Sequence, residues 1–419
     1  MFEPRIKWIL PLALLSLTTL ATESLAYGAP ASGERAGQAA SARRLHFTVD
    51  DPAPTTTIRA QTITAKQNHA CALDQTGKAY CWGVNTHGQL GVGDSSHRPV
   101  PTAVAGNLTF TTISAGAQHT CAVTTDGTAY CWGSNAWGRL GTGDTESHDT
   151  PVRVDTDLKF IQISAGIDHT CGITTDKAAY CWGRGNFAKL GNGQAGARYV
   201  ELRPVRVATS VQFASISTGR EHTCAVAVDG KGYCWGNDAN GRAGVGVGAR
   251  VDEVTELPGG RRYVAIDAGT TYSCALTTDG EIYCFGINRS GMQGHGLKEN
   301  GEPLAQTTPT RPVAGGHTWK TMSASHAHTC GITNNGELYC WGNAGHGRLG
   351  IGTAPGIVEV PTKVSTSETF AQVAVGWTFS CGITTSNAVY CWGDGADGRL
   401  GNGAAGIQPA PVPVSPVAE

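Results

Sequence analysis

Charge is scarce in this 419-residue sequence. Asp, Glu, Lys and Arg make up 15% of it and the formal net charge is −2, so no global field draws the chain to nucleic acid or to an anionic membrane. No apolar run after the N-terminus reads as a membrane span, and the run from Trp8 to Ala21 is too short for one. No glycine-rich segment ends in Gly-Lys-Ser/Thr, which excludes that phosphate-binding loop. No cysteines show the two-residue spacing of zinc knuckles, so no metal site is assigned. A carboxylate pair or Ser-His set standing apart from the rest is also missing, leaving no catalytic residue and no cofactor to nominate.

The N-terminus carries Arg5 and Lys7, then the apolar run, then Ser24-Leu25-Ala26. That is the layout of a secretory signal peptide over residues 1–26, cleaved after Ala26. Residues 27–57 are rich in Ala, Gly, Ser and Thr with Pro30, Pro52 and Pro54, and read as a flexible linker. Export, to the periplasm or outside the cell, makes disulfides the expected state of the fourteen cysteines.

What the chain does have is one pattern returning seven times. First cysteines stand at 71, 121, 171, 224, 274, 330 and 381, at steps of 50, 50, 53, 50, 56 and 51, each followed by a second ten positions later. A period near fifty with 57 glycines in the chain marks an array of small β units. Folding Cys121–Cys131 about Asp126 leaves Thr125-Asp126-Gly127 as a three-residue hairpin loop whose last position needs positive φ. Gly77, Gly230, Gly280 and Gly336 suit that position and Asn387 tolerates it, but Lys177 strains the third loop. The fold also sets each first cysteine opposite its second, close enough to bond. Seven hairpin staples follow: Cys71–Cys81, Cys121–Cys131, Cys171–Cys181, Cys224–Cys234, Cys274–Cys284, Cys330–Cys340 and Cys381–Cys391.

A strand such as Phe160–Ala165 precedes each hairpin, and a Pro-Val-x-Val piece such as Pro151–Val154 precedes that, giving four strands per unit. Seven such sheets close into an all-β, seven-bladed β-propeller over residues 58–419. Extra residues near Gln194–Leu202 and Leu297–Thr308 fall in connections. The first unit lacks a preceding Pro-Val-x-Val strand, whereas the tail offers Pro411-Val412-Pro413-Val414. The C-terminal strand is therefore expected to join the N-terminal blade and close the ring.

The strings YCWGVNTHGQLGVGD (Tyr80–Asp94) and YCWGSNAWGRLGTGD (Tyr130–Asp144) resemble the repeat of the regulator of chromosome condensation family. The resemblance covers Ile58 to Val414 and implies a seven-bladed propeller. Its members include the nuclear exchange factor for the small GTPase Ran, a plant UV-B receptor, parts of ubiquitin ligases and a secreted bacterial β-lactamase inhibitor. A signal peptide and paired cysteines speak against exchange activity in a nucleus, and the receptor's tryptophan motif occurs once, at Gly376-Trp377-Thr378. The secreted binding proteins are nearest in kind.

Within the repeat, His69, His119, His169, His222 and His328, with Tyr272 and Phe379 in the other copies, read as structural, because a catalytic histidine is used once. The Trp-Gly tryptophans read as fillers of the seams between blades. Two positions vary as a core would not. Before the glycine of Gly-x-Leu-Gly the series runs His87, Trp137, Phe187, Asn240, Ser290, His346, Asp397, which predicts an aromatic crescent over blades one to three. After that glycine come Gln89, Arg139, Lys189, Arg242, Met292, Arg348 and Arg399. These form either a positive annulus favouring an acidic protein or glycan, or side chains bonded to carbonyls of their own blades. The leading expectation is a monomeric protein-binding module acting through one loop face without catalysis. The alternatives are an enzyme using the central funnel and an inherited exchange factor.

Overall fold

The computed structural model describes residues 58–417 except 247, 298, 299, 302, 303 and 354. The expected signal peptide and linker, residues 1–57, lie outside the described residues. In the first repeat, β1 (Ala60–Lys66), β2 (His69–Asp74), β3 (Ala79–Gly83) and β4 (Arg98–Ala103) form an antiparallel sheet in sequence order. Six repeats build such a four-stranded blade. In the fifth the fourth strand is reduced to one bridge, Tyr283 to Pro312, after the Leu297–Thr308 insertion. The other insertion ends within the fourth strand of blade three, Val200–Arg206.

Two sequence expectations change here. The Pro-Val strand completes the repeat it follows, as β4 pairs with β3 through Tyr80↔Ala103 and Cys81↔Thr102. By the same rule the C-terminal strand, Gln408–Pro413, pairs with Val389–Gly393 of blade seven through Cys391↔Val412. It does not join the N-terminal blade. Each repeat supplies its own outer strand because the long loop after the third strand folds back, so the ring meets end to end. There the Ala60 amide donates to the Asn387 carbonyl at 3.0 Å and Arg59 bridges Ala388.

The hairpins are as the spacing predicts. Cys121 faces Cys131, the seven pairs are bonded at Cα separations of 4.0–4.1 Å, and no free cysteine remains among the described residues. Gly127 has φ +82°, and Lys177 is held at φ +69° in the same place. A left-handed lysine costs about 1 kcal/mol relative to glycine. Lys177→Gly is therefore expected to raise the unfolding free energy by about that amount in a urea titration, whereas a lowered midpoint would contradict the strain.

Seams between blades follow one rule. The indoles of Trp82, Trp132, Trp182, Trp235, Trp341 and Trp392 are fully buried, and each rests on the last glycine of the preceding blade's Gly-x-Leu-Gly. At Gly141 an added Cβ would stand 2.7 Å from Trp182 Nε1, so only glycine admits the ring. The first strands line the axis around a cavity of about 160 Å³. Along them a side-chain oxygen of each blade accepts the next blade's amide: Ala115 to Thr64 (3.1 Å), Ala165 to Ser114 (2.9 Å), Thr218 to Ser164 (3.0 Å), Ala268 to Ser217 (3.0 Å), Ala324 to Asp267 (2.8 Å) and Val375 to Ser323 (3.3 Å).

A second circle runs through the histidines. His69 meets Thr120 (2.9 Å), His119 Thr170 (2.9 Å), His169 Thr223 (3.0 Å), His222 Ser273 (2.7 Å) and His328 Ser380 (2.7 Å), always in the following blade. Each of those hydroxyls gives its own proton to a backbone carbonyl, Thr120 to Gln89 and Thr170 to Arg139 among them. Nε2 of each histidine therefore donates, and Nδ1 is left unprotonated and without a partner. At the joint from blade seven to blade one both circles stop. Ala374 offers no oxygen to blade one, and Phe379 and Ala70 take the histidine and hydroxyl places inside one apolar cluster.

Candidate interaction face

His69 pairs with Gly83 at the end of β2 and β3, so the turn after the first strand and the long loop after the third emerge on one face. The hairpins emerge on the other. The three predicted aromatic positions lie on the first face and are exposed, Trp137 by 40% and Phe187 by 38%, with His87 exposed as well. Trp137 and Phe187 sit in short 3-10 turns at φ +67° and +61°. Asn240, His346 and Asp397 hold the same conformation in other blades. Asn and Asp enter the left-handed region readily, but a bulky aromatic there costs on the order of 1–2 kcal/mol. The chain thus holds two large rings in strained backbone with a good part of each in solvent, a pattern associated with functional positions.

A chain of contacts runs from the Trp137 ring toward the turn that carries Phe187. The Arg184 guanidinium stacks 4.6 Å above the Trp137 ring and lies 3.5 Å from the Asp168 carboxylate. Asp168 also holds the Lys189 ammonium in a short ion pair, and Lys189 follows the Phe187 turn. Burial pushes the Lys189 pKa down, while Asp168 opposes it.

The positive annulus is not formed. Arg139, Arg242, Arg348 and Arg399 are 5–7% exposed and Lys189 is fully buried. Arg139 donates to the carbonyls of Ala136 and Ile167, both at 2.9 Å, and Arg348 to those of Gly345 and Trp377, both at 2.8 Å. Arg399 reaches Ala396 O at 2.8 Å and Asn68 Oδ1 at 3.1 Å. Each cation ties its own loop to the next blade, because the glycine before it lies against that blade and turns the following side chain into the seam.

Sequence reasoning missed the axis. Lys66, Asp267 and Ser323 line the central cavity, and Lys66 stands where five other blades have Gly116, Gly166, Gly219, Gly269 and Gly376. That departure from the repeat was the available signal. A cleft of about 590 Å³ opens where blade five lacks its outer strand, between Asp279, Glu281, Arg311 and His317. Among the described residues no three His, Cys, Asp or Glu side chains gather as a metal site, and no helix is long and apolar enough to cross a membrane.

Models of the regulator of chromosome condensation (RCC1) repeat match residues 76–123, 126–173, 176–226 and 335–383. A shorter form of the repeat matches 61–89, 110–138, 160–189, 213–242, 263–291, 319–348 and 370–399. The ultraviolet-B receptor UVR8 of Arabidopsis thaliana is 29% identical over 197 residues, 46% of this chain and 44% of the receptor. The human regulator of chromosome condensation is 32% identical over 85 residues, 20% of each chain. The chain thus spans less than half the length of these curated relatives. Among solved structures, human WBSCR16 superposes with a TM-score of 0.71 at 19% identity, covering 80% of this chain and 93% of that one. Prp20p of Saccharomyces cerevisiae, studied for its binding to Gsp1p and histones, gives 0.69 at 21%, covering 84% and 86%.

Proposed function

Since the chain belongs to the regulator of chromosome condensation repeat family, we propose that it is an exported, monomeric protein-binding module whose contact surface is the loop face of blades one to three. The observation that carries this reading is the pair Trp137 and Phe187, exposed on adjacent blades in backbone that disfavours them. Rings that pack only their own loop would be replaced at no loss by residues suited to that backbone. Anchors in an interface have to be large and rigid. His87 extends the row. Relatives lend support in kind: Prp20p is described with Gsp1p, histones and Kap60 as partners. Seven disulfides fit an oxidising compartment, which favours a periplasmic or secreted location.

The test places a photo-crosslinking amino acid at 137 or, on the opposite face, at Asp126, and illuminates the protein among exported proteins of its own source. Crosslinks to a defined partner are expected from 137 and not from 126. Trp137→Gly should abolish capture by a crosslinker at 187 while leaving unfolding within about 1 kcal/mol of the parent, since relieved strain offsets the lost stacking. Equal crosslinking from both faces would overturn the assignment.

A further inference from the structure

The sevenfold pattern makes its exceptions conspicuous at the axis. Where other blades have glycine or Ser325, Lys66 sends its side chain across the channel from blade one to blade four, where the ammonium donates to the Thr218 carbonyl at 3.0 Å. Among the described residues no carboxylate stands within ion-pair distance of it. The acid acting on it, Asp267, lies two residues deeper along its own strand and is already taken: Ser217 donates to it at 3.0 Å, Ser323 at 3.3 Å and the Ala324 amide at 2.8 Å. Enclosure by the blades pushes the Lys66 pKa down and Asp267 pushes it back up. A desolvated cation with one neutral acceptor is a costly arrangement that an incoming anion would relieve.

Above Lys66 the carboxylates of the same turns, Asp168 and Glu221, are already held by Lys189 and Arg242, which leaves Arg220 as the exposed charge. The residues following the first strands ring the mouth through main-chain bonds, Arg220 to Gly269 and Thr270 to Ser325 among them. Their side chains include Arg220, His326 and Trp377. The Arg220 side chain is 56% exposed, and its neighbouring carboxylate, Glu221 at 3.9 Å, is engaged by Arg242 at 3.0 Å and Asn237 at 2.9 Å. His326 stacks on Trp377 with centroids 5.0 Å apart. Burial, then Arg348 and Arg220, lower the His326 pKa. Below them Thr64 and Ser114 accept amides from the next blade, which leaves their hydroxyl protons to donate into the channel.

We propose that the mouth of the central channel is a carboxylate-binding site that receives an acidic segment of a protein partner, with Lys66 at its floor and Arg220 at its rim. The axial cavity beneath that mouth, about 160 Å³ and lined by Thr64, Lys66, Ser114 and Asp267, is too narrow for a folded domain, so only an extended segment reaches Lys66. Lys66 closes the end of the channel that opens on the face bearing Trp137, so a partner lying on the aromatic rings can direct an acidic side chain inward. In naming a protein as the source of the carboxylate, the proposal rests on the binding-face reading.

The test is calorimetric titration of the full chain with an acetylated, amidated tetraglutamate peptide and with its tetraglutamine counterpart. Tetraglutamate should bind and tetraglutamine should be weaker by about tenfold or more, the worth of one charge-assisted contact. Lys66→Gly installs the residue five other blades carry at that place, and Arg220→Gln alters an exposed side chain. Each should weaken tetraglutamate by about tenfold with the near-ultraviolet spectrum unchanged. Equal binding of the two peptides, full affinity in Lys66→Gly, or binding of inorganic phosphate in place of the peptide would overturn the proposal. Trp137→Gly should leave peptide affinity intact, so lost crosslinking at 137 with retained tetraglutamate binding would sink the face reading alone.

Discussion

Unfolded with its disulfides reduced and then diluted into reducing buffer, the chain is expected to stay unfolded. Each of the seven bridges spans its own interval of 10 positions, and the intervals do not overlap, so their constraints on the unfolded chain are independent. Chain entropy sets a ceiling of about 2–3 kcal/mol for a loop of this length. Seven together reach on the order of 15–20 kcal/mol, more than the roughly 5–15 kcal/mol by which folded domains exceed their unfolded chains. Near-ultraviolet circular dichroism and thiol counting check this, with the oxidised chain as the control that refolds. A reduced chain that regains a cooperative melt within a few degrees of the native one would show the bridges to be ornamental. Reduction has to begin from the unfolded state, because all fourteen cysteines are fully buried.

The second expectation concerns acid. Burial pushes His69 and His222 down to about 3, the latter with help from Arg242. His119, His169 and His328 are held well below their ordinary value by burial and then by Arg139, Lys189 and Arg348 respectively. The joint explains the direction: a protonated imidazole would carry a second N–H at Nδ1, which has no hydrogen-bond partner, the Asp168 carboxylate standing 3.9 Å from His169 Nδ1. Unfolded, these groups titrate near 6.5. The unfolded chain therefore binds more protons below that pH, and stability present above it is lost as pH falls from about 6.5 toward 3. At pH 5 His69 and His222 each forfeit about 2 kcal/mol, and His119, His169 and His328 add to the loss in the same direction. Urea titrations at pH 7.5, 6 and 5 should show that slope. The double substitution His328→Phe with Ser380→Ala, which copies the joint of Phe379 and Ala70, should remove one share of it. A flat profile between pH 7.5 and 5 would mean that the imidazoles find acceptors when protonated.

What the sequence disclosed was whatever seven copies state in unison. The hairpin about Asp126, the cysteine pairing, the demand on Lys177 and the burial of Trp132 all follow from spacing, because strand pairing and turn geometry are local. Two things escaped for physical reasons. The Pro-Val strand could belong to the sheet before or behind it, since a period fixes how long a unit is and not where it starts. Only the pairing of Tyr80 with Ala103 settles the phase, and it moved the C-terminal strand to blade seven. The arginines after the loop glycine read as a surface series, yet the close approach of that glycine to the neighbouring blade sends them inward. The aromatic row was legible as variation within a loop. Lys66 was not, because its meaning depends on six other residues converging on one axis.

The ring can also be seen as an assembly of seven protomers that happen to share a chain. Every internal joint is head-to-tail, a histidine on one blade, or Tyr272 on the fifth, and a hydroxyl on the next, and head-to-tail interfaces continue indefinitely unless something ends them. Phe379 and Ala70 end them. A histidine-bearing blade set against Ala70 would bury an imidazole with no oxygen to meet, at a cost of about 1–3 kcal/mol. The two chain ends thus carry a complementary address that internal blades do not share. The first and last blades find each other, and open chains of propellers exchanging blades between molecules are disfavoured by the one joint that breaks the pattern.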